Sequence, residues 1–227
     1  MIKNLINLLF PPICVGCNSV LLQNEKIICL KCRHELPFTN HPLSNSNTTF
    51  DKFYGRLPLV HGSSLLYYRK KGITQQLIHH LKYKGQQEIG ALLAEWYVFR
   101  FEANPDLQTV TDIIPVPLHP KRLRERGYNQ LTTFGRTLAN GLHTFYNDQL
   151  LYRKYYSKTQ TQKTFFGRTE TNQELFALRD ANYCPGKHFL LIDDVITTGS
   201  TLEACGKQLL KIPGSRLSIA TIAYTDS

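Results

Sequence analysis

The sequence predicts an α/β protein in which helices flank a mainly parallel β-sheet, preceded by a small module with four cysteine ligands for zinc. Two stretches predict the sheet, residues 110–145 and residues 189–209. Each runs from a short apolar segment through a polar loop into a helical pattern, which is the order of a βα repeat. Two closely spaced cysteine pairs within residues 14–32 predict the module.

We expect three parts along the chain: a four-cysteine zinc-ribbon module at residues 1–40, a linker at residues 41–56 and the α/β domain at residues 57–227. The 227 residues suffice for one sizeable core and a small module. The linker is inferred because Thr39–Asp51 is rich in Asn, Ser, Thr and Pro and contains little to bury.

The chain is basic, with 27 Lys and Arg against 17 Asp and Glu, a formal net charge of +10. The excess lies in Leu118–Arg168, where ten Lys or Arg accompany only Glu125 and Asp148. Such a balance favours a polyanionic partner. No apolar run approaches the roughly 18 residues of a membrane helix, and no small-residue cleavage site follows the amphipathic residues 1–10. We therefore expect a cytoplasmic protein without a membrane span.

Four cysteines have the spacing of a structural zinc site, because two C-x₂-C pairs are separated by 11 residues. They are Cys14, Cys17, Cys29 and Cys32. Four thiolates would close a tetrahedral site without an open position, so no catalysis is implied. Two disulfides in an oxidising compartment are the alternative. We expect the nearby His34 and His41 to be surface residues and Cys205 to belong to the core.

Between the module and the first βα repeat, the pattern predicts one or two strands in Leu57–Tyr68 and a helix that stops near Gly85. A second helix over Glu88–Phe101 would place Trp96 in the core. Lys82 belongs to a group of cations that could meet phosphates, although a solvated helix face is the more frequent reason for such charges.

The first βα repeat begins with a buried strand at Val110–Val116. A basic loop, Leu118–Gln130, follows it, and the next helix carries apolar residues at helical spacing from Leu131 to Phe145. The cations of the loop crowd at the carboxyl end of the strand, where a pyrophosphate would neutralise them. The second repeat ends in a final strand at Leu217–Tyr224.

The segment Leu190–Thr201 in the second repeat reads as a phosphate site. Its apolar strand ends in Asp193 and Asp194, which could accept hydrogen bonds from sugar hydroxyls or hold Mg²⁺. Hydroxyls and a glycine follow at the start of a helix, where unpaired amides favour an anion. A ribose phosphate satisfies both halves. The alternative is an ordinary strand-to-helix turn in which these side chains only cap the helix.

This segment resembles the motif with which type I phosphoribosyltransferases bind 5-phosphoribosyl 1-pyrophosphate (PRPP): an apolar strand, two acids, two variable residues and Thr-Thr-Gly-Ser-Thr. The chain also contains Pro-Pro-x-Cys-x-x-Cys, Leu-Lys-Tyr-Lys-Gly and Ile-Ile-Pro-Val-Pro-Leu-His-Pro-x-Arg-x-x-x-Arg-Gly-Tyr-Asn-Gln. With these motifs in this order, nearly the whole chain resembles the ComF family. The resemblance implies a type I phosphoribosyltransferase-like core, PRPP and Mg²⁺ as ligands, and a part in DNA uptake during natural transformation.

The resemblance also implies roles for residues. The acids would hold the ribose hydroxyls, directly or through Mg²⁺, the hydroxyl-rich loop would cradle the 5′-phosphate, and the first repeat would face the pyrophosphate. The implied PRPP-binding residues are Asp193, Asp194, Thr197, Thr198, Gly199, Ser200, Thr201, Pro115, Val116, Pro117, Leu118, Arg122 and Arg126.

The segment Tyr152–Lys163 interleaves cations with aromatic rings, a combination that binds single-stranded nucleic acid. A loop that folds over PRPP and a solvated hairpin are equally open interpretations. The family pattern of Gln, Arg, Asn and Phe is present here, except that Thr171 stands at the Asn position. The candidate nucleic-acid contacts are Arg124, Arg153, Lys154, Lys158, Lys163 and Arg168.

The sequence leaves three functions open. The first is a ComF-like protein that binds PRPP and Mg²⁺ and handles incoming single-stranded DNA, with other competence proteins as partners. The second is an active phosphoribosyltransferase that transfers 5-phosphoribose to a small nitrogen nucleophile. The third is a zinc-dependent interaction module on a core that has lost its ligand. The sequence identifies no residues that would recognise an acceptor.

Overall fold

The computed structural model describes residues 10–44, 46–101, 104–154, 175–180 and 182–225. The described chain contains both helices and strands. The α-helices are α1 Leu30–His34, α2 Thr48–Asp51, α3 Ile73–Tyr83, α4 Glu88–Phe101, α5 Pro120–Arg126, α6 Leu131–Gly141 and α7 Ser200–Leu209. The strands are β1 Leu59–Tyr67, β2 Asp112–Pro115, β3 Phe145–Tyr146, β4 Leu151–Arg153, β5 Phe176–Leu178, β6 His188–Ile196 and β7 Arg216–Tyr224. Short 3₁₀ turns lie at His41–Leu43 and Leu107–Thr109.

Five strands form one parallel sheet in the order β1-β7-β6-β2-β3, and β4 pairs with β5 as a separate antiparallel hairpin. The three inner strands are buried along nearly their whole length, because helices cover both faces of a parallel sheet. The prediction of an α/β core with a parallel sheet is therefore confirmed.

The parallel arrangement brings the carboxyl ends of the strands to one edge of the sheet. In the register of the sheet, Pro115 lies beside Ile192, and Asp193 lies beside Thr221. The segments after β2 and β6, which are far apart in sequence, therefore start side by side. On one side of the sheet, α4 packs closely on α6, since a Cβ at Gly90 would lie 3.1 Å from the backbone nitrogen of Phe134.

Three local predictions are wrong. The strand that carries the acids extends to Ile196, so Asp193 and Asp194 lie within it rather than at its carboxyl end. The basic loop contains the helix α5, because Pro120 fits the first helical position and the side chain of His119 caps the Lys121 amide. Phe145 belongs to β3, since α6 ends at Gly141.

Residues 41–44 and 46–56 are folded onto the sheet, contrary to the expectation of a linker with little to bury. Thr49 and Phe53 are completely buried. His41, expected at the surface, is also buried, and its Nδ1 lies 2.9 Å from the Thr49 hydroxyl. Polar side chains that satisfy one another inside the fold explain why a polar composition misled the prediction. The division into domains remains a prediction.

The expectations for β1 and Cys205 are confirmed, and the expectation for Trp96 is confirmed only in part. Leu57–Tyr68 contributes one strand, β1, and Cys205 is buried as expected. Trp96 is only half-buried, with its ring edge-to-face against Phe38. None of the helices in the described part of the chain has both the length and the apolar character that crossing a membrane requires.

Candidate functional site

The loop between β6 and α7 forms the first half of the candidate site. Gly199 has a φ of +75°, a left-handed conformation that glycine adopts without strain, and it directly precedes α7. Residues 197–202 and Asp193 line a cavity of about 50 Å³ at this helix start. The Thr198 and Ser200 hydroxyls lie 3.0 Å apart at the surface of the loop. The position and small size of the cavity suit one phosphate group.

The two acids have different surroundings. Asp194 is buried, and its two carboxylate oxygens accept hydrogen bonds from Lys82 Nζ at 2.7 Å and from Gln130 Nε2 at 2.6 Å. Asp193 is half-buried, and its Oδ1 accepts a hydrogen bond from the Asp194 amide at 2.8 Å. Burial, with the negative charge of Asp194, raises the pKa of Asp193 to about 8. A divalent cation would relieve both effects, so this carboxyl pair is a reasonable place for Mg²⁺.

A basic cavity of about 290 Å³ forms the second half of the site. Lys82, Arg122 and Arg126 line it together with the aromatic rings of Tyr83 and Tyr128, and Glu125 is the one acid in its lining. The Arg126 guanidinium lies 4.9 Å above the Tyr83 ring. The Tyr128 hydroxyl donates to the Leu81 carbonyl at 2.6 Å, which ties the end of α5 to α3. The cavity therefore has the charge and rigidity to bind a polyanion.

Side-chain contacts connect the two halves. Arg126 Nη1 donates a hydrogen bond to Gln130 Oε1, and Gln130 in turn donates to Asp194. Lys82 lines the basic cavity and also pairs with Asp194. Asp194, next to Asp193 of the phosphate-sized cavity, is thus linked to the basic cavity directly by Lys82 and through Gln130 by Arg126.

The segment that follows β2 begins beside the acids, and its Pro117 and Leu118 line a separate cavity between α5 and the β4–β5 hairpin rather than the basic cavity. Val116 is buried, and its amide donates to the Ile192 carbonyl at 2.9 Å, so the chain leaves the sheet next to the acids. Pro117 and Leu118 are half-buried and continue from there to α5. The structure thus brings together the two segments to which the sequence analysis assigned PRPP binding; the assigned roles are predictions.

Sequence reasoning missed the contribution of two residues to this site. The sequence left Lys82 between a phosphate contact and a solvated helix face, whereas its side chain is mostly buried against Asp194. Gln130 received no role, although it is buried. Lys82 lies in the Leu-Lys-Tyr-Lys-Gly motif at the end of α3, and Gln130 lies in the Tyr-Asn-Gln motif just before α6. Their place in these two motifs is the signal that could have found them.

The candidate nucleic-acid residues are only partly within the described chain. Arg124 is exposed on α5, while Arg153 and Lys154 lie at the end of β4. Between α5 and the β4–β5 hairpin is a cavity of about 470 Å³, lined by Leu123, Tyr152 and Arg153 among others. Lys158, Lys163, Arg168 and the Thr171 position lie outside the described residues.

The four cysteines of the module converge on one point, with their Sγ atoms all within 4.8 Å of one another. Cys17 Sγ and Cys29 Sγ are 3.7 Å apart. Tetrahedral zinc with Zn–S bonds of about 2.3 Å places sulfurs about 3.8 Å apart, so the residues present fit this ion. The amides of Gly16 and Cys29 donate to Cys14 Sγ, and hydrogen bonds from Ser19 lower the pKa of Cys17 to about 6. The Ser19 contacts favour the thiolate of Cys17, the form that binds zinc, whereas burial raises the pKa of Cys32.

Two family models match the chain. Residues 5–45 match the double zinc ribbon domain, and residues 134–227 match the phosphoribosyl transferase domain. The first match supports zinc as a structural ion at the four cysteines. Among solved structures, an adenine phosphoribosyltransferase has a TM-score of 0.41 at 17% identity, over 67% of this chain and 75% of that chain, which is a weak similarity.

Several curated proteins are similar in sequence. The DNA utilization protein YhgH of Escherichia coli K12 is 30% identical over 152 residues, and the alignment covers 66% of each chain. Competence protein F of Haemophilus influenzae is 30% identical, with 65% of this chain and 66% of the relative covered. Competence protein ComFC of Bacillus subtilis is 25% identical over 91% of this chain and 87% of its own length.

The YhgH alignments thus span somewhat under two thirds of those relatives, whereas the ComFC alignment extends through both the cysteine module and the sheet. The order of the two matched domains agrees with the motif order in the sequence. The resemblance stated from the motifs is confirmed, and the chain belongs to the ComF/YhgH family, which combines a double zinc ribbon with a phosphoribosyltransferase domain.

Proposed function

We propose that this protein binds PRPP with Mg²⁺ at the carboxyl edge of its sheet and assists the handling of single-stranded DNA in competence, in the cytoplasm. One observation carries the proposal: Asp193 lines a phosphate-sized cavity, and the adjacent Asp194 is held by Lys82, which lines a basic cavity, and by Gln130, which contacts Arg126 of the same basic cavity. PRPP has the matching arrangement, with a 5′-phosphate at one end, ribose hydroxyls in the middle and a pyrophosphate at the other end.

Each part of PRPP has a partner of suitable chemistry. The amides and hydroxyls of residues 197–201 would receive the 5′-phosphate. Asp193 and Asp194 would hold Mg²⁺ and the ribose hydroxyls, while Arg122, Arg126 and the backbone of Pro115–Leu118 would face the pyrophosphate. When bound, Mg²⁺ neutralises phosphate charge. These residues would orient PRPP and neutralise its charge. Neither role requires that PRPP react, so the site can bind PRPP without turnover.

The DNA part of the proposal rests on the relatives and on the β4–β5 hairpin. The relatives are described as DNA utilization and competence proteins. In the hairpin, the guanidinium of Arg153 lies 5.6 Å from the Phe176 ring, and that of Arg179 lies 5.5 Å from the Tyr152 ring. Cations next to aromatic rings, beside an open cavity, match the needs of a phosphate backbone and its bases. Other competence proteins are the partners we propose.

Calorimetry with PRPP and Mg²⁺ tests the proposal. We expect the wild type to bind and Asp193→Asn to lose at least tenfold in affinity, because charge-assisted contacts to the ligand are each worth about 1.5–3 kcal/mol. Asp180→Asn removes an exposed carboxylate distant in sequence from the site and is the matched control. A wild type that gives no heat with PRPP would refute the proposal, and pyrophosphate release with a nitrogen nucleophile would instead establish the transferase.

A further inference from the structure

Two cations, Lys52 and Arg56, contact the phosphate loop from residues 46–57, nearly all of which belong to the expected linker at residues 41–56. Lys52 Nζ donates a hydrogen bond to the Thr197 carbonyl. Arg56 Nη1 donates to the Thr198 carbonyl at 2.8 Å and to the Lys52 carbonyl at 3.2 Å. Successive carbonyls of the loop are therefore each held by a cation from a segment more than 140 residues earlier in the chain.

These contacts fix the direction of the loop amides. In a trans peptide the C=O and the following N–H point in opposite directions. The amides of Thr198 and Gly199 therefore point away from Lys52 and Arg56. Neither cation lines the cavity of about 50 Å³, which residues 197–202 surround. The two amides thus point to the cavity side, where the left-handed Gly199 forms an anion-binding concavity.

Packing prevents the two cations and the loop from separating easily. Phe53 is completely buried, and its ring lies 3.0 Å from the place where a Cβ on Gly199 would stand. The Arg56 guanidinium lies 5.7 Å from this ring and pairs through Nε and Nη2 with Glu203 on α7. The same segment thus contacts the loop and the helix that follows it.

We infer that Lys52 and Arg56 are positioning residues that hold the loop amides in the orientation required for a ribose 5′-phosphate. The inference rests on the proposed function and assigns to residues 46–57 a role that neither the sequence motifs nor the domain matches give them. In this arrangement, the helix α2 and the turn after it contact the phosphate loop on the side opposite to the ligand.

The two cations act differently. Arg56 is held by Glu203, a carboxylate that it shares with Lys207, so Arg56 contributes mainly geometry. Lys52 contacts a carbonyl and lies 4.7 Å from the Tyr224 ring, and among the described residues it forms no ion pair with a carboxylate. Lys52 therefore adds net positive charge near the phosphate, an effect that salt weakens.

The test measures ribose 5-phosphate and inorganic pyrophosphate separately by calorimetry in the presence of Mg²⁺. We expect Arg56→Gln to weaken ribose 5-phosphate binding about tenfold, the loss typical of one charge-assisted hydrogen bond, and to leave pyrophosphate binding unchanged. Lys207→Gln is the matched control, because Lys207 pairs with the same Glu203 at 2.7 Å and has no contact with the loop. It should change neither affinity by more than about twofold.

Lys52→Met provides a second variant in case Arg56→Gln unfolds, which a thermal melt would reveal. Its loss in ribose 5-phosphate affinity should shrink when salt is raised from about 50 mM to about 500 mM, whereas the loss in Arg56→Gln should persist. Equal losses for both ligands, or unchanged ribose 5-phosphate affinity in both variants, would overturn the inference. A wild type that binds neither ligand would refute the proposed function itself, and the inference with it.

Discussion

Lowering the pH from 7.5 to 5 should destabilise the protein through two buried histidines, His61 and His188. Both are inaccessible to solvent at the amino half of the sheet. Burial lowers the pKa of each to about 4, from an ordinary value of 6.5. For His61 the nearby Asp106 opposes this effect and His188 adds to it, while for His188 the charge of Arg216 adds and Asp106 opposes.

The direction follows from proton binding. Between pH 6.5 and 4 the unfolded chain binds protons at these histidines and the folded chain does not, so acid favours the unfolded state. The stabilisation is fully present above pH 6.5 and is lost as the pH falls towards 4. Each histidine accounts for about 2 kcal/mol at pH 5 and at most about 3.4 kcal/mol at lower pH. Together they would remove a large share of a typical stability of 5–15 kcal/mol.

Urea unfolding of the wild type and of His61→Gln/His188→Gln at several pH values is the assay. Between pH 7.5 and 5 the free energy of unfolding of the wild type should fall by about 4 kcal/mol relative to that of the double variant, whatever the stability of the variant at pH 7.5. The raised pKa of Asp193 acts in the opposite direction in both proteins, so it cancels in this comparison. His79→Gln, at an exposed position on α3, is the control and should keep the wild-type slope. A double variant with the wild-type slope would refute the reasoning.

Two further predictions concern the module and the DNA. Removing zinc with a chelator, or replacing Cys29 by Ser, should unfold the ribbon and release the metal, since Val15, Leu21 and Ile28 form only a small apolar core beside the four converging sulfurs; metal analysis and circular dichroism check this, and retained structure without metal would contradict it. Single-stranded DNA should bind in a salt-dependent way, losing about 50-fold in affinity from 50 to 200 mM salt if about four phosphates are contacted. Arg153→Gln/Lys154→Gln should lower the affinity for single-stranded DNA at low salt, measured by fluorescence anisotropy, whereas Lys207→Gln/Lys211→Gln should not. Equal effects of the two double variants would argue against a DNA contact at the β4–β5 hairpin.

The parts of the fold that the sequence predicts well are those in which local pattern and burial agree. The apolar run before Asp193 becomes β6, and Glu88–Phe101 becomes a helix with the predicted bounds. The cysteine spacing predicts the convergence of four sulfurs, since ligand geometry restricts it. In each case the residues that determine the structure lie within a short stretch of chain.

Residues 41–56 show what pattern reasoning misses. α2 has only four residues, too few for a helical period, and Asn47 caps it through the Phe50 amide. The stability of this segment comes from contacts with residues far away in the sequence. The Thr49 hydroxyl hydrogen-bonds to the Ser64 hydroxyl, and Arg56 pairs with Glu203. A composition of Asn, Ser and Thr is typical of a loop only when these side chains face water, and here several face one another. Long-range pairing of this kind leaves no local signature in one sequence.

The network around the acids explains why Asp193, rather than Asp194, is the substitution to use against PRPP. Both oxygens of Asp194 are engaged, by Lys82 and by Gln130, so replacing it would disturb the fold as well as the ligand. Asp193 accepts one backbone hydrogen bond and faces the phosphate cavity, so a cation can reach it without breaking an ion pair. A ligand that engages Asp194 must compete with Lys82, which also lines the basic cavity. Lys82 would then be free to neutralise pyrophosphate there, and we expect the two halves of the site to fill together rather than independently.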